Sequence, residues 1–126
     1  MTAGCVELYN SGNGQTLTAN GQAADTVDVT HYSRLGVVLA ITGAVSGSFG
    51  GGEGLNVVLD GYDYASNAYF LGSLASAAQA GGNFAFGVGP GTGNTYVVPK
   101  LVRVTWTVSG TTPSFGGVQI SLHGRP

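Results

Sequence analysis

The residues with acid–base or metal-binding side chains are few and lie far apart in the sequence. His31 and His123 are separated by most of the chain, while Glu53, Asp60 and Asp63 lie near loops. A catalytic or metal-binding carboxylate needs a convergent pocket and a partner that changes its pKa, and the sequence shows neither. The segment DGYD at 60–63 also lacks the regular oxygen-ligand spacing of an EF-hand loop. We therefore predict no catalytic residue, no metal ligand and no cofactor.

The single cysteine, Cys5, has little in its sequence surroundings to make it reactive. A nucleophilic thiolate needs a nearby base and an electropositive setting, and the flanking residues Gly4 and Val6 supply neither. One cysteine also excludes a disulfide within the chain. We predict that Cys5 is a buried or inert thiol and that the protein is not an enzyme.

Tyrosines are concentrated in one polar connection, DGYDYASNAY at 60–69. An aromatic face with adjacent polar groups can hold a sugar ring, so this connection is a candidate glycan site. Tyrosine is also a common strand residue, and packing at a strand edge is the alternative interpretation. Both interpretations stay open for the residues concerned, which are Tyr62, Asp63, Tyr64, Asn67 and Tyr69.

β-Strands must position these side chains, because the clearest periodicity in the chain is a two-residue alternation. In the segment Leu101 to Gly124 (LVRVTWTVSGTTPSFGGVQISLHG), apolar and polar residues alternate on either side of a turn-forming Thr-Thr-Pro cluster. Successive side chains of a strand point to opposite faces, so one face of each strand is apolar. We predict a hairpin closed by the Thr-Thr-Pro turn, whose first strand contributes four core residues: Val102, Val104, Trp106 and Val108.

The same plan occurs earlier in the chain, 67 positions before these residues. The sequence SFGG recurs at 48–51 and 114–117, and the apolar alternation at 55–59 corresponds to that at 118–122. We predict one hairpin design used twice within a single domain, although two ordinary hairpins that converged would give the same pattern. The first copy contributes the core residues Leu35, Val37, Leu39 and Ile41.

The rest of the chain contains short apolar stretches separated by glycine-rich connections. We predict strands near 4–9, 26–30, 69–74 and 83–88, with 4–9 alternatively an arm that lies against a neighbour. The segment 43–54 is interpreted as a flexible exposed tip, and GVGPGTGN at 87–94 cannot be a strand interior. With about eight strands and no amphipathic helix, the predicted fold is all-β. We predict a two-sheet antiparallel sandwich, jelly-roll-like, with a small barrel as the alternative, that forms one domain over residues 1–126.

Composition restricts the class of partner. Charged residues are only 8% of the 126, against roughly 25% in globular proteins, and 23 residues are glycine. Such a weakly charged surface suits contacts with neighbouring subunits, although a neutral exterior rich in Ser, Thr and Asn would also keep a monomer soluble. The net charge of -2 and the four Lys and Arg residues argue against nucleic-acid binding. No apolar stretch reaches the length of about eighteen residues that a membrane-spanning helix needs.

The run LVRVTWTVSGTTPSF at 101–115, with LHGR at 122–125, resembles small β-sandwich proteins from the virions of tailed bacteriophages. The resemblance extends to 55–72, where those proteins tend to have a strand, a polar loop and an aromatic residue before Leu-Gly. Here this motif is Tyr69-Phe70-Leu71-Gly72, and the tryptophan that is common near it is absent. The resemblance implies a capsid decoration (cement) or head accessory role and no catalytic residue.

We therefore expect a virion structural protein, namely a capsid decoration protein that binds and stabilises the assembled head. The alternative is a tail or head-fibre module that recognises a host-surface glycan. The expected partners are the major capsid protein and further copies of the chain, with a trimer favoured. We expect no nucleic-acid or membrane partner, synthesis in the host cytoplasm and a final location on the capsid surface.

Three segments are candidates for contact with the capsid: the N-terminal arm 1–9 and the glycine-rich tips 47–54 and 87–94. Glycine-rich segments can become ordered on binding without a side-chain clash. Ordinary loops without a contact role would have the same composition. The candidate interface residues are Cys5, Val6, Leu8, Tyr9, Phe49, Gly51 and Pro90.

Overall fold

The computed structural model describes residues 4–10, 15–90 and 98–126. In these ranges the chain forms twelve β-strands and no helix, which confirms the prediction of an all-β fold. The strands are β1 (Gly4–Asn10), β2 (Thr16–Leu17), β3 (Gly21–Gln22), β4 (Val27–Asp28), β5 (Arg34–Ile41), β6 (Val45–Ser48), β7 (Leu55–Tyr62), β8 (Ala68–Ser73), β9 (Gly82–Val88), β10 (Leu101–Val108), β11 (Thr111–Gly116) and β12 (Val118–Arg125).

The described strands form three antiparallel sheets. Sheet 1 has the order β1-β12-β5-β9, and sheet 2 has the order β3-β10-β7-β8, with β4 also paired to β10. Sheet 3 is small and has the order β2-β11-β6. Buried side chains of sheets 1 and 2 form one hydrophobic cluster, as expected for a β-sandwich. The jelly-roll connectivity stays a prediction.

The number of strands is higher than the predicted eight, because several segments that were predicted to be connections form short strands that pair with longer ones. The two-residue strands β2 and β3 lie between β1 and β4, and β6 lies inside the segment 43–54 that was predicted to be a flexible tip. Beyond β6 the tip is a closed turn, in which Glu53 Oε1 accepts a hydrogen bond from the Gly50 N–H at 2.7 Å. Gln79 Nε2 also donates to the carbonyls of Gly50 and Glu53 at 2.9 Å each. These short strands were not predicted because their small residues show no alternation of apolar and polar side chains. Their backbone N–H and C=O groups nevertheless need hydrogen-bond partners.

Neither predicted hairpin exists, since β10 pairs with β7 and β12 pairs with β5. The segment that contains Thr112 and Pro113 is not a turn but part of β11, which pairs with β6 in sheet 3. Alternation shows which face of a strand is buried, but it does not identify the neighbouring strand. The two strands assigned to each hairpin therefore lie in different sheets.

The internal echo is present as two corresponding strand ladders. β5 begins 67 residues before β10 and β7 begins 63 residues before β12, and all four strands have eight residues. The pair Ile41–Val118 of the β5·β12 ladder corresponds to the pair Val108–Leu55 of the β10·β7 ladder, and the other seven pairs correspond in the same way. Each copy of the repeat thus contributes one strand to sheet 1 and one to sheet 2.

The connections at the end of the two ladders correspond as well. The Thr42 N–H donates to the Gly117 carbonyl at 3.1 Å, and the Ser109 N–H donates to the Gly54 carbonyl at 3.0 Å. Both glycines have positive φ, 61° at Gly117 and 133° at Gly54. A residue with a side chain is strained in this conformation, which explains glycine at both places.

The core lies between sheets 1 and 2 around Trp106, which is 5% exposed. Its indole contacts the Tyr9 ring with a centroid distance of 4.5 Å and an interplanar angle of 49°. Gly21 pairs with Trp106 across the β3·β10 ladder, and a Cβ there would lie 2.8 Å from the indole Nε1. Val108 is half-buried against the cluster, and the other seven core candidates are buried: Leu35, Val37, Leu39, Ile41, Val102, Val104 and Trp106.

Candidate functional site

One end of sheet 2 forms an open cleft of about 690 Å³. Its walls come from the end of β7, the turn that follows β7, the start of β8 and the start of β10 with the residues just before it. The residue that precedes β4 also contributes to the lining. We call it the tyrosine cleft. Its lining residues are Thr26, Tyr62, Asp63, Tyr64, Ser66, Tyr69, Pro99, Lys100, Leu101 and Arg103.

A compact turn at 63–67 presents part of this lining. Asp63 Oδ1 accepts hydrogen bonds from the backbone N–H groups of Ala65 at 2.9 Å and Asn67 at 3.0 Å. The backbone closes the turn, because the Asp63 N–H donates to the Asn67 carbonyl and the Ser66 N–H donates to the Asp63 carbonyl, both at 3.0 Å. Ser66 has φ of 66°, and Tyr64 is fully exposed. The turn therefore displays Tyr64 from a fixed backbone.

The inner wall of the cleft depends on the absence of a side chain at Gly61. A Cβ at this position would lie 2.6 Å from Pro99 Cγ and 3.1 Å from both Leu71 Cδ1 and Tyr69 Cζ. Gly61 is also opposite Tyr69 in the β7·β8 ladder. The ring of Tyr69 and the ring of Pro99 thus pack over a strand backbone, which gives the cleft a rigid apolar side.

Charged groups of both signs lie in and beside the cleft. Arg103 Nη2 donates to the Ala24 carbonyl at 2.8 Å, and the buried Arg103 Nε has no hydrogen-bond partner among the described residues. Asp60 lies opposite Arg103 in the β7·β10 ladder, and burial raises the pKa of its carboxyl. Hydrogen bonds from the Thr30 hydroxyl and N–H lower the pKa of Asp28, with smaller contributions from Lys100 and His31.

The cleft contains four of the five residues that the sequence offered as a glycan site: Tyr62, Asp63, Tyr64 and Tyr69. Asn67 does not line it, and its backbone N–H instead holds the Asp63 carboxylate. Sequence reasoning missed Thr26, Pro99, Lys100 and Arg103, which join the cleft only through the pairing of β10 with β7 and β4.

Cys5 and His123, far apart in the sequence, are neighbours on the outer face of sheet 1. Cys5 Sγ lies 3.8 Å from His123 Nε2, which in turn lies 2.9 Å from Ser121 Oγ. The pairing of β1 with β12 creates this cluster, because Cys5 is opposite His123 in the ladder. Cys5 is exposed, so the prediction of a buried thiol is wrong, because β1 presents this side chain on the outer face of the sheet. It also has a neighbouring base that the sequence did not indicate, and its inertness stays a prediction.

The candidate interface residues differ in exposure. Cys5, Gly51 and Pro90 are exposed and Val6 is 40% exposed, whereas Leu8 packs against the core cluster. Tyr9 and Phe49 also pack inside the chain, Tyr9 on Trp106 and Phe49 on Phe115 at 5.5 Å between ring centroids. The segment 4–10 is strand β1, paired with β12, which agrees with the first of the two interpretations given for it. Of the tip 87–94, residues 91–94 lie outside the described residues.

Across the described ranges, no three His, Cys, Asp or Glu residues are grouped so that they could hold a metal ion. None of the described segments is a helix of the length and hydropathy needed to cross a membrane. No protein family model matches the chain, and no curated protein matches it.

Proposed function

We propose that this chain is a structural protein of a bacteriophage virion and acts as a decoration protein that binds and stabilises the assembled head. The resemblance at 101–115 and 122–125 supports the proposal, and these residues form β10, most of β11 and the end of β12. The resembling segments therefore include all of β10, a central strand of sheet 2, and the second half of β12, a central strand of sheet 1.

The observation that carries the proposal is the outer face of sheet 1. Apart from Arg34 at the start of β5, the outward positions on β5 and β9 carry no charge, and they alternate with the core positions. Small side chains without charge form a surface that another protein can cover with little desolvation cost. The residues of this face are Gly36, Val38, Ala40, Asn83, Ala85 and Gly87.

Two arginines at one end of this face indicate the charge of the partner. Arg34 and Arg125 are exposed and lie directly opposite each other in the β5·β12 ladder. Like charges opposite each other across a sheet destabilise it, and an acidic partner surface would relieve the repulsion. We propose that the major capsid protein presents acidic groups to this end of the face, and that the decoration protein binds as a homo-oligomer, with a trimer favoured.

Cosedimentation with mature capsids that lack decoration tests the proposal. Saturable binding and a higher temperature of head disruption are expected, because a ligand that binds only the assembled state stabilises it by mass action. Ala85→Glu places a charge on the proposed contact face and should abolish binding. Thr107→Glu, an exposed outward position in a central strand of sheet 2, is the matched control and should bind normally. Binding to tail fragments alone, or equal behaviour of the two variants, would contradict the proposal.

A further inference from the structure

The tyrosine cleft has an aromatic side chain that the fold itself does not use. Tyr64 is 104% exposed, so its ring contributes nothing to the core. The rings of Tyr62 and Tyr69, which are partly buried, line the same cleft. Tyrosine presents a flat apolar face together with a hydroxyl, which suits a ligand with both apolar C–H faces and hydroxyl groups.

The backbone that carries Tyr64 is already ordered. Four hydrogen bonds within 63–67 hold the turn, and two of them end on the Asp63 carboxylate. A site that is ordered before binding loses less conformational entropy when the ligand arrives. The volume of about 690 Å³ also falls in the range of about 300–1,000 Å³ that is usual for small-molecule sites.

The charges around the cleft favour an uncharged ligand. Lys100 and Arg103 line it together with Asp63, and Asp28 lies close enough to Lys100 for the two charges to interact. A phosphate or carboxylate ligand would meet the Asp63 carboxylate, and a cationic ligand would meet Lys100 and Arg103. Neutral hydroxyl groups can accept hydrogen bonds from the cations and donate to the carboxylate, so they satisfy both kinds of group.

We propose that the tyrosine cleft binds an uncharged saccharide, with the Tyr64 ring stacked on a sugar face. Lys100 and Asp63 hydrogen-bond its hydroxyl groups. This binding is separate from the proposed attachment to the capsid, because the cleft lies on sheet 2 and the proposed capsid face lies on sheet 1.

Amide NMR titrations test the proposal with neutral trisaccharides of glucose, galactose, mannose and N-acetylglucosamine, and with trigalacturonic acid as the acidic arm. At least one neutral trisaccharide should shift the amides of 62–69 and 99–103 saturably. Tyr64→Ala should weaken that binding by about tenfold, and Tyr64→Phe, which keeps the ring, by less than about threefold. Because Tyr64 is fully exposed, Tyr64→Ala should fold with an unchanged melting temperature.

The matched control is Phe70→Ala, which removes a 49% exposed aromatic ring that does not line the cleft. It should bind the saccharide as the parent does. The proposal is overturned if no neutral trisaccharide binds, if only trigalacturonic acid binds, or if the shifts map outside the cleft. Equal loss of binding in Tyr64→Ala and Phe70→Ala also overturns it. Ala85→Glu should keep saccharide binding, so a failure on capsids is distinguishable from a failure here.

Discussion

Replacing Gly21 by alanine tests the tight contact between β3 and Trp106. A Cβ at Gly21 would lie 2.8 Å from the indole Nε1 and 2.9 Å from two ring carbons. Carbon atoms pack at about 3.5–4.0 Å, so the ring or the strand must move by roughly 0.6–1 Å. The ring also contacts Tyr9, which limits its movement. Overpacking of this kind costs about 1–3 kcal/mol, and we expect about 2 kcal/mol, which lowers the melting temperature by about 6–10 °C.

A double-mutant cycle shows whether the indole is the cause. Trp106→Leu alone should cost about 2–4 kcal/mol through lost burial. Part of this cost is offset because the substitution removes a buried indole N–H for which the described part of the chain supplies no hydrogen-bond partner. In that background Gly21→Ala should cost less than about 0.5 kcal/mol, since the smaller side chain leaves room for the methyl group. The coupling energy between the two sites is therefore expected to be at least about 1.5 kcal/mol.

Urea unfolding followed by circular dichroism measures the four free energies, since fluorescence would lose its single tryptophan. Gly52→Ala is the control partner, because a Cβ there meets no atom within 4 Å in residues 4–10, 15–90 and 98–126. Its own cost should add to that of Trp106→Leu within about 0.5 kcal/mol. Additive costs for Gly21→Ala and Trp106→Leu would refute the explanation by steric contact.

Two further predictions concern pH and a backbone conformation. The pKa of Asp28 is lowered, so its stabilisation is present above the unfolded pKa of about 3.8 and is lost as pH falls through the folded value. The pKa of Asp60 is raised by burial, so stability falls as pH rises between about 3.8 and the folded value. At pH near 7, Asp28→Asn should lower the melting temperature and Asp60→Asn should raise it, and both differences should shrink at pH of about 2. If thermal unfolding at pH near 7 shows that the two substitutions change the melting temperature in the same direction, this reasoning is contradicted. Gly54→Ala should cost more than about 3 kcal/mol of stability, because φ is 133° at Gly54 and the new Cβ would overlap the Ala78 carbonyl. Gly52→Ala should cost about 1 kcal/mol, because φ is 80° there but the new Cβ meets no described atom within 4 Å. Similar unfolding midpoints for the two variants would argue against the clash at Gly54.

The buried faces of the long strands were predictable from the sequence. Leu39 and Val104, for example, are fully buried at positions that alternation assigns to the core. Alternation is a local property, because it arises from the geometry of successive residues in one strand. The partner of each strand was not predictable, since β5 presents the same apolar face whether it pairs with β7 or with β12.

The same limit applies to the candidate sites. Tyr62 and Tyr64 are close in sequence, so the aromatic part of the cleft was visible as a local cluster. Lys100 lies just before β10, which pairs with β7, and nothing near Lys100 in the sequence indicates that partner. His123 lies beside Cys5 for the same reason, through the pairing of β1 with β12.

Both long ladders pair a strand of the first copy of the repeat with a strand of the second copy, and this pairing has a consequence for biosynthesis. During translation β5 leaves the ribosome long before β12, and β7 leaves it long before β10. Until the C-terminal strands emerge, β5 and β7 therefore lack the partners with which they form their eight-residue ladders. A nascent chain in this state exposes apolar strand faces to water, a condition that favours aggregation and chaperone binding. Pairing between such distant segments also slows folding, because a long loop must close before any contact forms. The sandwich should therefore assemble late, after β12 has emerged, instead of growing hairpin by hairpin from the N-terminus.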